Sequence, residues 1–203
     1  TLIDSSLDIA WSANETLKAF GYPPKDFDAI VESIGWGVKT LLEKLMPGES
    51  PDVISRARER FLEFYGGHLT VDTAVYPGVR ETVEHLSALG KKMAVVTNKP
   101  EGLARRVLRD LALDGYFLMV LGGDSMPERK PDPAPLLRVV RELGADASRT
   151  VMVGDSPIDC ETGQKAGVRT IAVSYGFRSR EELEQAGCFG IIGSFSELKE
   201  MIV

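Results

Sequence analysis

From Tyr76 onward the chain alternates between two hydrophobic periods, and few folds accommodate that alternation. "KKMAVVTN" (91–98) is a short Val-rich run, the pattern of a strand buried on both faces. In "EGLARRVLRDLAL" (101–113), Leu103, Val107, Leu108 and Leu111 recur at helical spacing. "YFLMVLGG" (116–123) reads as a strand, and "DPAPLLRVVRELG" (132–144) as a helix with Pro near its start and Gly144 after its end. "TVMVGD" (150–155) is a strand, "SPIDCETGQKAG" (156–167) a helix and "VRTIAVSYG" (168–176) a strand. The tail repeats the theme with "REELEQAG" as helix, "FGIIGS" as strand and "FSELKEMIV" as helix. Strands alternating with helices of this length predict βαβ units. The predicted class is therefore α/β, with a doubly wound, Rossmann-like parallel sheet.

Residues 12–75 break the pattern. "SANETLKAFG", "FDAIVESIG", "GVKTLLEKLM" and "PDVISRARERFLEFYGGHL" all read as helices, separated by Gly and Pro, and none is strand-like. The expected organisation is an α/β core from 1–11 and 76–203 with an all-helical insert at 12–75. A length of 203 residues suits a core with a smaller insert. The net charge of −6 and a pI of about 5.1 speak against nucleic acid as a partner, since phosphate backbones need a basic face. A locally positive site for a small anion remains compatible with that balance. Two cysteines make no disulfide framework, so a reducing cytoplasm is the default. Neither an apolar run of membrane-spanning length nor a signal peptide is visible, and no membrane partner is expected.

In an open parallel sheet, ligands bind beyond the carboxyl ends of the strands. Thr97 and Asn98 end one strand, Lys130 lies in the "RKPDP" loop after the next, and Asp155 ends a third. Asp159 follows four residues later on a helix that Ser156 would cap and Pro157 would open. Two readings of the aspartates stand. They decorate a helix N-terminus, where negative charge is favourable, or they hold a cation. Two carboxylates roughly 5 Å apart repel by about 3 kcal/mol at an effective dielectric near 20. A hard divalent ion removes that cost, and Mg²⁺ prefers one or two carboxylates plus water and substrate phosphate. Taken singly, Thr97 reads equally as a strand-end residue, Asn98 as turn chemistry and Lys130 as a solvated loop lysine. Asp4 reads as local capping or hinge packing, Asp124 and Asp132 as edge-loop acids, His68 and His85 as ordinary polar or partly buried positions in helical segments, and Cys160 as a small packing residue.

The segments "VVTN" (95–98), "RKPDP" (129–133) and "GDSPID" (154–159) resemble motifs II, III and IV of the haloacid dehalogenase superfamily. "TLIDSS" (1–6) resembles the tail of its motif I, DxDGTLxDS, and "YPGV" (76–79) the return from a helical cap. Within the superfamily the chain is most similar to the phosphoglycolate phosphatase-like branch. The resemblance implies a Mg²⁺-dependent hydrolase of a small phosphorylated metabolite, most closely 2-phosphoglycolate, acting through a phosphoaspartate as a monomer or homodimer. It implies that Thr97 hydrogen-bonds the phosphoryl group, Asn98 helps orient it and Lys130 neutralises charge. Asp155 is implied as a metal ligand, with Asp159 binding directly or through water. The nucleophile and acid/base of motif I fall before Thr1, so the motif I strand is absent from this chain. Residues 1–203 alone are then expected to be inactive. The insert is implied to be a cap in which Gly35, Trp36 and Lys39 touch the unreacting part of the substrate. Alternatives are β-phosphoglucomutase-like or pyrophosphatase chemistry, or a non-catalytic phosphate-binding module. A response-regulator fold leaves no place for the helical insert.

Overall fold

The computed structural model describes residues 1–202, and these fall into two compact units, Ile3–Ala74 and Thr1–Leu2 with Val75 onward. The first unit opens with β1 (Ile3–Asp4), followed by α1 (Ser6–Ala19), α2 (Phe27–Val31), α3 (Val38–Leu45) and α4 (Pro51–Gly67). Asp4 Oδ1 accepts from the Ser6 amide at 2.9 Å and the Ser6 hydroxyl at 2.6 Å, an Asx-type turn leading into α1, whose N-cap is Ser5. The helix then runs unbroken from Ser6, which places residues 3–11 in the helical unit rather than with the core. Ala13 and Leu17 of α1, Ile30 of α2, Leu42 of α3 and Ala57 and Phe61 of α4 are fully or almost fully buried. That apolar stripe is the unit's core. Ser50 caps α4 through the Val53 amide, with Pro51 at the first helical position.

After β2 (Ala74–Val75), which spans the unit boundary, the second unit contains α5 (Val79–Ala88), β3 (Ala94–Val96), α6 (Glu101–Asp110), β4 (Met119–Leu121) and α7 (Ala134–Glu142). It continues with β5 (Val151–Gly154), α8 (Pro157–Ala166), β6 (Arg169–Val173), α9 (Arg180–Gln185), β7 (Gly190–Ile192) and α10 (Leu198–Met201). Within this unit β3 pairs with β4 and β5–β6–β7 form a second piece, both parallel, while β2 pairs with β1. Strand β6 shows why helices cover both faces. Its side chains alternate, with Ile171 and Val173 joining Val79, Val83, Ala104, Leu108 and Leu198 in one cluster. Ala172 points the other way, onto Cys160 of α8 and Leu183 of α9. The α/β class is the one expected. The final helix is shorter than the expected 195–203, and Val203 lies outside the described residues.

Cys160 departs from its reading as a packing residue. It is buried, but it is also bonded to Cys188, with Cα atoms 5.0 Å apart, within the span of a disulfide. The bond fastens α8 to the segment entering β7. Among the described residues, no helix is long and apolar enough to cross a membrane.

Candidate active site at the carboxyl edge of the sheet

The motifs meet where the parallel strands end. Thr97 continues the β3 ladder, its amide donating to Leu121 O at 2.9 Å. Its hydroxyl oxygen accepts from the Lys99 amide at 3.1 Å, which fixes the rotamer and leaves the hydroxyl's own proton for a ligand. Asn98 Nδ2 donates to Lys130 O at 3.1 Å and so ties the β3 loop to the "RKPDP" loop. Gly122 and Gly123 let these loops approach: a Cβ on Gly122 would lie 2.2 Å from the Glu101 amide nitrogen, and one on Gly123 would lie 2.5 Å from Asn98 O.

Lys130 is not a solvated loop lysine. Its Nζ lies 2.7 Å from Asp159 Oδ1, and the two side chains are 13% and 6% exposed. Asp159 Oδ2 accepts from the Asp155 amide at 3.1 Å, the Ser156 amide at 3.1 Å and the Ser156 hydroxyl at 2.8 Å. This is the capping box of α8, with Asp159 at the third helical position. One carboxylate thus anchors the lysine and closes the helix end. Gly154 makes room for it, since a Cβ there would sit 2.2 Å from Asp159 Cγ.

Asp155 is 15% exposed and turns toward Thr1, whose hydroxyl donates to Asp155 Oδ1. Burial pulls the Asp155 carboxyl upward. The Thr1 hydroxyl and the Lys130 charge oppose it. Asp155 is a hard-oxygen donor at the strand end, beside Lys130. That donor set fits Mg²⁺.

Residues after β6 complete this edge. Tyr175 donates its hydroxyl to Thr1 O at 2.7 Å, and burial, the Asp155 charge and Tyr76 raise its pKa above the ordinary 10. Gly176 packs on Asp155, where a Cβ would lie 2.4 Å from Asp155 Cβ. Neither was singled out in the sequence, although "SYG" sits at a strand's carboxyl end like the other motifs.

The helical unit holds the remaining expected residues. Gly35 and Gly37 have φ of 114° and 90°, which favour glycine, and between them Trp36 is 39% exposed. Lys39 is exposed and pairs with Glu43 one turn along α3, at 3.5 Å. His68, at the C-cap of α4, is partly buried, with its Nδ1 2.9 Å from Asp8 Oδ1 and its ring stacked on Trp11. Asp8 is fully buried and also accepts from the amides of Asp72 and Thr73 and from the Thr73 hydroxyl.

Comparison with known proteins places the chain. Residues 1–173 match the family profile of haloacid dehalogenase-like hydrolases. A phosphoglycolate phosphatase of Aquifex aeolicus is 38% identical over 181 residues, covering 87% of this chain and 82% of the relative. One from Nitrosospira multiformis is 34% identical over 207 residues, covering 100% and 91%. Among solved structures, a predicted phosphoglycolate phosphatase from Haemophilus somnus superposes with a TM-score of 0.93 at 29% identity, covering 100% of this chain and 94% of that one. With the strand-end motifs and these relatives in agreement, the chain belongs to the haloacid dehalogenase-like hydrolase family.

Proposed function

We propose that the protein hydrolyses a small phosphate monoester, with 2-phosphoglycolate as the favoured substrate, in a Mg²⁺-dependent reaction. The observation that carries the reading is the buried Lys130–Asp159 pair, 2.7 Å apart, at the carboxyl end of β5 where Asp155 follows. The relatives named phosphoglycolate phosphatase support the substrate.

Phosphoryl transfer requires positioning and charge stabilisation more than covalent chemistry from the protein. In this reading Thr97 donates its hydroxyl proton to a phosphoryl oxygen. Asn98 holds Lys130 in place through the Lys130 carbonyl. Lys130 presents its ammonium to the phosphoryl group while Asp159 keeps it from swinging away. Asp155 would hold Mg²⁺, with Asp159 reaching it directly or through water, and the ion would shield charge on the phosphoryl oxygens. The attacking carboxylate, which forms the phosphoaspartate, belongs to the DxDG segment expected before Thr1, as does the acid/base. Gly35, Trp36 and Lys39 are assigned to substrate choice in the helical unit, acting as a cap.

The test is phosphate release from 2-phosphoglycolate and a panel of other small esters, with and without Mg²⁺, using protein that carries the DxDG segment. Mg²⁺-dependent turnover is expected, fastest on 2-phosphoglycolate and abolished by Asp155→Ala. Lys39→Ala is expected to alter KM unequally across the panel. Absence of turnover on every ester would overturn the reading.

A further inference from the structure

We infer that Tyr175 is a positioning residue for the metal-binding carboxylate of Asp155, acting through Thr1. The inference rests on the phosphatase reading above and adds a residue that neither the strand-end motifs nor the roles derived from them include.

The geometry is a chain of contacts within one unit. Thr1 is held at both ends. Its hydroxyl donates to Asp155 Oδ1, and its carbonyl accepts the Tyr175 hydroxyl at 2.7 Å. The next residue is fixed as well, because Leu2 O accepts the Tyr76 amide at 3.1 Å. Tyr76 and Tyr175 pack ring to ring, with centroids 4.6 Å apart. The phenol is therefore set in place by stacking before its hydroxyl is used. Immediately after it, Gly176 leaves no space for a side chain between its own backbone and Asp155. Residues 175 and 176 thus bear on Asp155 from two directions, Gly176 by direct contact and Tyr175 through the Thr1 backbone. A partner that orients a metal-ligating carboxylate typically contributes 10–100-fold, on the order of magnitude, to metal affinity or activity.

Tyr175→Phe separates the hydroxyl from the ring, because it keeps the stacking on Tyr76 and deletes only the O–H···O=C bond. With the active protein, Mg²⁺ binding is measured by titration calorimetry, the Mg²⁺ concentration for half-maximal turnover by kinetics, and KM for the ester at saturating Mg²⁺. The expected result is Mg²⁺ binding weakened by about 10-fold, a matching rise in the half-maximal Mg²⁺ concentration and an unchanged ester KM. A melting curve of the same variant shows whether it folds. Tyr175→Leu, which also removes the stacking, is expected to weaken Mg²⁺ binding further. Unchanged Mg²⁺ affinity in folded Tyr175→Phe would overturn the inference, even if its melting temperature falls. A wild-type protein with no Mg²⁺-dependent turnover would instead overturn the phosphatase reading, and the two failures are distinguishable.

Discussion

Replacing Asp159 with Asn keeps the shape of the side chain and removes its charge. Asp159 lies 2.7 Å from Lys130 Nζ, and at 6% and 13% exposure water screens the pair little. Removing one partner of a buried pair costs about 3–5 kcal/mol, because the other charge stays buried. Lys130 also helps lower the pKa of Asp155, so a second carboxylate partly compensates. The expected loss is then at the low end, about 3 kcal/mol. Lys130→Met is milder. It leaves Asp159 accepting from two amides at 3.1 Å and the Ser156 hydroxyl at 2.8 Å. Its cost is about 1–2 kcal/mol. For a chain of this size 1 kcal/mol shifts the melting temperature by roughly 2–4 °C, so Asp159→Asn should fall by about 6–12 °C. Lys130→Met should fall by roughly 2–8 °C. The double variant, which buries neither charge, should melt above Asp159→Asn alone. Calorimetric melting of the four proteins checks this order. Asp159→Asn within about 2 °C of wild type, or melting above Lys130→Met, would refute the reasoning.

Gly154→Ala would place a Cβ 2.2 Å from the clamped Asp159 Cγ, whereas Gly102 in α6 has open space. Denaturant titration should show Gly154→Ala destabilised by about 1–3 kcal/mol and Gly102→Ala neutral or stabilised by up to about 1 kcal/mol. In the helical unit, Asp8→Asn disturbs a buried carboxylate that accepts from the amides of Asp72 and Thr73, the Thr73 hydroxyl and His68. Its expected cost is about 2–3 kcal/mol by the same titration, more than His68→Gln. The Cys160–Cys188 bond spans 28 residues. Loop-closure entropy then gives it about 3–4 kcal/mol, and a reducing agent or Cys188→Ser should lower the melting temperature by roughly 10 °C.

Much of this was legible because the relevant signals are local. A Val run ending in Thr97–Asn98 and another ending in Gly154–Asp155 mark strand ends in any parallel sheet, and Ser156–Pro157 marks a helix start. That locality is why the α/β class and the convergence of Lys130, Asp155 and Asp159 could be expected. What Asp159 does with its two oxygens could not, because the division between Lys130 and the helix cap depends on where a loop 29 residues away returns. The same holds for Tyr175, 174 residues from the Thr1 carbonyl it binds. Asp8 was missed for a related reason. Its donors lie more than sixty residues further along, and nothing near it in sequence distinguishes it from a solvated helix acid. Ile3 onward falls with the helical unit, because α1 begins at Ser6 and runs past residue 12 without a break.

The most direct measurement is a crystal structure of the protein soaked with Mg²⁺ and tungstate, a phosphate mimic. The account predicts the oxyanion within hydrogen-bonding reach of Thr97 Oγ1 and Lys130 Nζ, with the cation on the Asp155 carboxylate. An oxyanion bound elsewhere, with those three side chains unliganded, would contradict it.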